Sequence, residues 1–221
     1  MVFITGDTRS RKYLEILRRH GIGRMVIDKP ILPYEGEPWA FDNGAYRDWK
    51  NGKAFDEPAF LRRLEKIYPT GKPYLAVTPD IVCGGERSLE FSLAWVEKLP
   101  PEWPWFLAVQ DGMGIGDVEK VIHLFAGIFL GGSDAFKGTA PHWCRLAHAK
   151  NKRFHFGRAG TLRKVAFARR IGADSCDSAF PLWSVRRFEH FLAAWKNDLP
   201  YEQLELWPLE EFLPVVPGLS G

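Results

Sequence analysis

The sequence holds little cysteine: Cys83, Cys144 and Cys176 are the three thiols among 221 residues, at long and irregular spacing. So few, so far apart, exclude a disulfide framework and a C-x-x-C zinc site. No apolar run approaches the roughly 18 to 20 residues of a spanning helix, and the opening MVFITGDTRSRKY turns charged too soon for a signal peptide. The expectation is a cytosolic protein with no membrane partner. Charge of one sign is lacking as well, since 30 basic against 27 acidic residues leave +3. Such a balance permits nucleic-acid binding without demanding it, and any basic surface must come from local clustering. Among the six histidines, His20, His123, His142, His148, His155 and His190, none is spaced to share a metal with another. No metal and no cofactor is expected, and His155 is the one histidine kept as a candidate. Linkers, repeats and low-complexity tracts are missing too, so residues 1–221 read as one domain.

What is present is an alternation of short apolar runs with amphipathic segments. The runs are Val2 to Thr5, Met25 to Asp28, Trp39 to Asp42, Tyr74 to Asp80, Trp105 to Asp111, Gly127 to Gly131, Arg153 to Gly157 and Asp174 to Ala179. Most are continuously apolar, as in parallel strands buried on both faces. Between them, Tyr13, Ile16, Leu17 and His20 carry helical spacing, as do Phe60, Leu64 and Ile67, then Leu89, Leu93 and Val96. Further stripes are Val118, Val121, Ile122 and Phe125, then Leu162, Val165 and Ala168, then Val185, Phe188, Leu192 and Trp195. The exception is Lys29 to Pro38, whose KPILPYEGEP holds three prolines and reads as a loop.

Eight strands alternating with helices predict an α/β fold, a compact (β/α)8 TIM-like barrel with one helix replaced by a loop. An open doubly wound sheet competes. The barrel alone predicts that reactive residues gather at the C-terminal ends of several strands. Asp42, Asp80, Gln110 and Asp177 meet that expectation. Each has a plainer reading: Asp42-Asn43-Gly44 is also a turn signal, Asp80 after Pro79 an Asx turn, and Gln110 a loop tie. Asp177 is harder to dismiss. A carboxylate in an otherwise small and apolar strand costs several kcal/mol if buried alone, so it is functional or paired. Asp174, three residues earlier, reads as structural.

Six motifs stand at these strand ends: AFDNGAY (40–46), VTPDIV (77–82), LAVQDG (107–112), AGIFLGG (126–132), FHFGRAGT (154–161) and GADSCDSA (172–179). In this order they resemble the queuine and archaeosine tRNA-guanine transglycosylases, and more closely the short phage and bacterial DNA versions that insert 7-deazaguanines. The resemblance spans about residues 39 to 182. It implies Asp177 as nucleophile and Asp42 as general acid/base. It further implies that Tyr46 and Phe156 sandwich the base, while Asp80, Gln110 and the main chain near Gly127 read its guanine-like edge. Elementary chemistry agrees with these roles. A carboxylate can capture the oxocarbenium-like C1′, a second can carry the proton of the departing base, and a carboxylate beside an amide complements guanine's donors and acceptor.

The basic residues cluster late. Arg158, Arg163 and Lys164 are the candidates for the phosphate backbone, with a solvated helix face as the alternative for the helical members. The tRNA enzymes of the family carry a cysteine-rich zinc site and elements after the barrel, whereas here Trp183 is followed by one helix and an acidic tail. The resemblance therefore implies a transferase acting on DNA, with tRNA less favoured, a 7-deazaguanine such as preQ0 as second substrate, and the host cytoplasm if the gene is a phage's. A tRNA transglycosylase and a non-catalytic nucleic-acid-binding relative remain the alternatives. Leu204, Trp207, Leu209, Phe212 and Leu213 are expected to pack back on the barrel in place of the zinc site.

Overall fold

The computed structural model describes residues 1–197, so the expectation for Leu204 to Leu213 lies outside the described residues. Eight parallel strands close in sequence order: β1 (Val2–Gly6), β2 (Gly23–Val26), β3 (Ala40–Phe41), β4 (Leu75–Val77), β5 (Trp105–Val109), β6 (Gly127–Leu130), β7 (Arg153–Phe156) and β8 (Ser175–Ser178). The ring is shut by β8 against β1, with Val2 opposite Ser175 and Ile4 opposite Asp177. The barrel reading holds, and the open sheet is excluded.

Helices lie in the connections: α1 (Arg11–His20), α2 (Ala45–Lys50), α3 (Glu57–Ile67), α4 (Glu86–Trp95), α5 (Ile115–Val121), α6 (Asp134–Lys137), α7 (Ala140–Ala149), α8 (Leu162–Arg170) and α9 (Val185–Asn197). Between β2 and β3 there is no helix, as the prolines of Lys29 to Pro38 require. That loop is anchored by Glu37, whose buried carboxylate meets Arg24 Nε at 2.7 Å and NH2 at 2.8 Å. Helix α7 was missed because Ala140, Trp143, Cys144 and Ala147 form its buried stripe, and two alanines hide it from a search for large apolar residues. No helix among the described residues is long and apolar enough to cross a membrane.

Alternation along each short strand sorts the core into two shells. Ile4, Met25, Ala40, Leu75, Val77, Phe106 and Ala108 fill the barrel. Their neighbours in sequence, such as Phe3, Leu107, Val109, Leu130 and Phe156, meet the helices. At the N-terminal end the Arg153 guanidinium lies 4.6 Å from the Tyr74 ring centroid and 5.0 Å from that of Phe106, plugging the floor. Polar side chains therefore reach the interior chiefly at the opposite end, where the strands stop.

Candidate active site

On the β7–β8 side the inward positions are His155, Ser175 and Asp177. Asp177 Oδ1 accepts the main-chain N–H of Arg158 at 2.9 Å and lies 2.9 Å from His155 Nε2. An amide nitrogen only donates, so Oδ1 is held as an acceptor. The imidazole is fully buried, stacked 4.7 Å from the Phe129 ring, and its Nδ1 sits 2.8 Å from Ser175 Oγ. Nε2 thus meets one carboxylate oxygen, and the Nδ1 contact with Ser175 fixes the orientation of the ring. Sequence reasoning kept His155 only as an isolated metal candidate. Its place one residue before the strand end, inward by alternation with Phe156, was the signal that pairs it with Asp177.

A third element backs this side. Lys137, at the end of α6, is buried and donates through Nζ to the carbonyls of Gly157 at 2.7 Å and Arg158 at 3.3 Å. Burial, then the nearby Arg158 charge, pull its ammonium down to about 8, against an opposing pull from Asp177. The turn that delivers the Arg158 N–H to Asp177 is therefore clamped from behind. Nothing in the sequence around Lys137 announced this, since a lysine closing a four-residue helix ordinarily faces water.

On the β3–β5 side, strand β3 ends after two residues and Asp42 follows it. Asp42 Oδ1 accepts from Gly44 N–H at 2.6 Å, so the turn reading and the acid reading describe one residue. Gly44 sits at φ 80°, and an added Cβ would lie 2.9 Å from the Arg63 guanidinium. Burial pushes the Asp42 carboxyl up, the Gly44 bond draws it back, and the negative charge of Asp177 pushes it up again. The two carboxylates sense each other across one mouth.

Behind Asp42 lies a closed polar network. Asn43 Nδ2 donates to Asp80 Oδ1 at 2.6 Å and to Thr78 O at 2.7 Å. Gln110 Nε2 lies 3.0 Å from Asp80 Oδ2, 2.8 Å from Ile81 O and 2.9 Å from Ser88 Oγ, while Oε1 accepts Cys83 N–H at 2.5 Å. Burial raises Asp80 to about 7, with Asn43 and Gln110 opposing the shift and the Asp42 charge reinforcing it.

Tyr46 opens α2 at the rim, 36% exposed, with its ring centroid 5.8 Å from Trp49. The Arg158 guanidinium carbon stands 3.8 Å from the Tyr46 centroid. Arg163 and Lys164 follow on the first turn of α8, where Lys164 Nζ pairs with Asp134 at 2.7 Å.

The structure brings Asp42, Asp80, Gln110, Tyr46, Arg158 and Asp177 to one end of the barrel, and it corrects three expectations. Phe156 is 1% exposed and faces the Phe167 ring of α8, so strand alternation sends it into the outer shell and away from any base. Gly127 begins β6 at the floor, where an added Cβ would lie 2.4 Å from both Phe106 Cε1 and Arg153 O. It is a packing glycine, and Gly131-Gly132 of the same motif occupy the mouth end. Gln110 is 2% exposed with both ends of its amide engaged, so it braces Asp80 and the 81–83 loop instead of offering a free amide. Asn43 and His155 enter in their place. Asp174 is structural, taking His148 Nε2 at 2.9 Å and Phe154 N–H at 2.7 Å.

No cluster of three or more His, Cys, Asp and Glu side chains among the described residues is arranged to hold a metal. The chemistry on offer is that of carboxylates: one fixed through a single oxygen, one pushed toward its protonated form, and a third near neutrality behind it. Comparison with models of known protein families gives no match to the chain, and comparison with curated proteins gives none either. The resemblance to the transglycosylases therefore rests on the six motifs alone.

Proposed function

We propose that this protein is a guanine transglycosylase that exchanges guanine in DNA for a 7-deazaguanine base such as preQ0. The observation that carries the reading is the pair Asp42 and Asp177 at different strand ends of one mouth: burial pushes Asp42 toward its protonated form, while His155 and the Arg158 N–H tie down one oxygen of Asp177. Asp177 attacks C1′ through Oδ2 while Oδ1 stays with His155 and Arg158. The bond from C1′ to the purine N9 breaks, and the departing guanine takes a proton from Asp42. An incoming 7-deazaguanine then returns a proton to Asp42 as its N9 attacks C1′ and frees the carboxylate of Asp177. The cycle closes with both carboxyl groups restored.

Asp80 reads the base's donor edge, since each of its oxygens keeps a lone pair beyond the bond from Asn43 or Gln110. Tyr46 supplies a face for stacking that replaces part of what the base loses on leaving the helix. DNA is favoured over tRNA because the three cysteines, one exposed and two buried, form no cluster of the kind the tRNA enzymes carry. The test uses single-stranded DNA, duplex DNA and tRNA, each with labelled guanine, with and without preQ0. Label release that depends on preQ0 is expected from single-stranded DNA first. Release without any added base would make the protein a hydrolase, and exchange confined to tRNA would overturn the DNA assignment.

A further inference from the structure

Strands β7 and β3 stand four places apart in a ring of eight, on opposite sides of the mouth. Arg158 follows β7 and Tyr46 follows β3, yet the guanidinium carbon lies 3.8 Å from the Tyr46 ring centroid. The two side chains therefore meet over the opening. The Arg158 backbone is fixed at both ends of the residue: φ is 53°, the N–H is bonded to Asp177 Oδ1, and the carbonyl faces Lys137 Nζ. That left-handed conformation is uncommon for a residue with a side chain and needs surrounding structure to hold it. Among the described residues the guanidinium forms no salt bridge with a carboxylate; its contact is the aromatic face.

A base stacked on Tyr46 needs the same 3.5 to 4 Å layer, roughly the thickness of one ring, that the guanidinium now fills. The two cannot share it. A phosphate offers the guanidinium a bidentate partner stronger than an exposed cation–π contact. We infer that Arg158 straps the mouth shut over Tyr46 and is drawn off by a phosphate, so that the base face opens to a nucleotide chain in preference to a free base. This inference rests on the base-site reading above and adds to it a condition for access. Only the side chain has to swing. The main-chain bond to Asp177 stays, so opening the mouth does not disturb the attacking carboxylate.

The test measures binding of free 7-deazaguanine by equilibrium dialysis to wild type and Arg158→Gly, each with and without inorganic phosphate. Glycine suits the left-handed backbone and keeps the N–H. Loss of the strap should tighten 7-deazaguanine binding by about two- to tenfold. Saturating phosphate should tighten the wild type by a similar factor and leave Arg158→Gly unchanged, an arm that requires no variant to fold. For a single-stranded oligonucleotide the variant should bind more weakly, with a salt slope flatter by about 0.7. Unchanged base affinity in the variant, with no phosphate response in wild type, overturns the strap and leaves the base site standing. Weaker base binding by the variant overturns it too, because the guanidinium would then belong to the base's own stack. Absence of 7-deazaguanine binding under every condition removes the base-site reading and the strap with it.

Discussion

On the β3–β5 side of the mouth, Asn43, Asp80, Ser88 and Gln110 are buried and bonded to one another; on the β7–β8 side, one carboxylate is held by an imidazole and an amide, with cations around it. The first arrangement makes ionisation expensive, and Asp80 accordingly rises to about 7. The second leaves Asp177 partly exposed, its side chain at 15%, with the charges of Lys137 and Arg158 nearby. Aspartates at one barrel end are thereby held in different environments by their neighbours. Under the proposed function Asp42, on the first side, carries the proton and Asp177, on the second, makes the bond.

The largest expected effect comes from removing the proposed nucleophile. Asp177→Asn keeps an acceptor for the Arg158 N–H and His155, so folding should survive, while exchange should fall by about 10³-fold or more. Wild type should yield a denaturant-resistant adduct between protein and DNA that the variant lacks. Turnover near the wild-type rate would erase the distinction between the two sides.

Next in size is Asp42→Asn. Asparagine fits the same turn and can still accept the Gly44 N–H, so the variant should melt cooperatively. Turnover should drop by about 10² to 10⁴, far more than DNA affinity. A lost melt with no separate rate effect would reassign Asp42 to the turn alone.

How much of this contrast was legible in the sequence follows from what each residue leaves on the chain. Continuous apolar runs exposed the barrel, because parallel strands are buried on both faces, and the proline-rich 29–38 segment exposed its missing helix. Motif order located Asp42 and Asp177. Which way a side chain points was less legible, since a one-residue error in where a strand ends exchanges inside for outside. The resemblance put Phe156 at the base without regard to facing, and strand alternation turns it outward while turning its neighbour His155 in. Gly127 was misplaced because the motif AGIFLGG runs the whole length of β6, floor to mouth, and carries glycine at both ends. Gln110 and Lys137 depend on partners 27 and 20 residues away in sequence, and no local pattern records those.

A smaller, thermodynamic effect separates the sides by pH. Because Asp80 holds its proton more tightly when folded, the folded state binds more protons than the unfolded one between about pH 4 and 7. The stability this contributes is full below the unfolded pKa and is lost as pH rises through about 7. Asp42, raised as well, acts in the same direction. Urea midpoints should therefore fall from pH 5 to pH 7.5, corresponding to a few kcal/mol at most, and Asp80→Asn should flatten the decline. A midpoint rising over that interval would contradict the closed network. Lys137 has the opposite sign, its lowered pKa adding stability as pH climbs from about 8 toward the unfolded value, so measurements above pH 8 would blur the contrast.

The smallest expected effect tests whether the cations of the β7–β8 side are already in use. Lys164 pairs with Asp134, whose side chain is 76% exposed, and the hydrogen bond from Lys164, helped by its charge, holds the Asp134 carboxyl below its usual range. Such an ion pair contributes little to folding, so neither Lys164→Ala nor Asp134→Ala should move the melting temperature by more than a few degrees. For binding the two should diverge. Removing Lys164 takes away at most one phosphate contact and flattens the salt slope for single-stranded DNA by about 0.7 or less. Removing Asp134 releases the ammonium and takes a negative charge from the face the backbone approaches, so affinity should rise about two- to threefold at low salt and converge with wild type as salt screens the difference. Equal, same-direction changes in the two variants would mean that the α8 end of the mouth meets no phosphate, leaving Arg158 as the point where the chain is held.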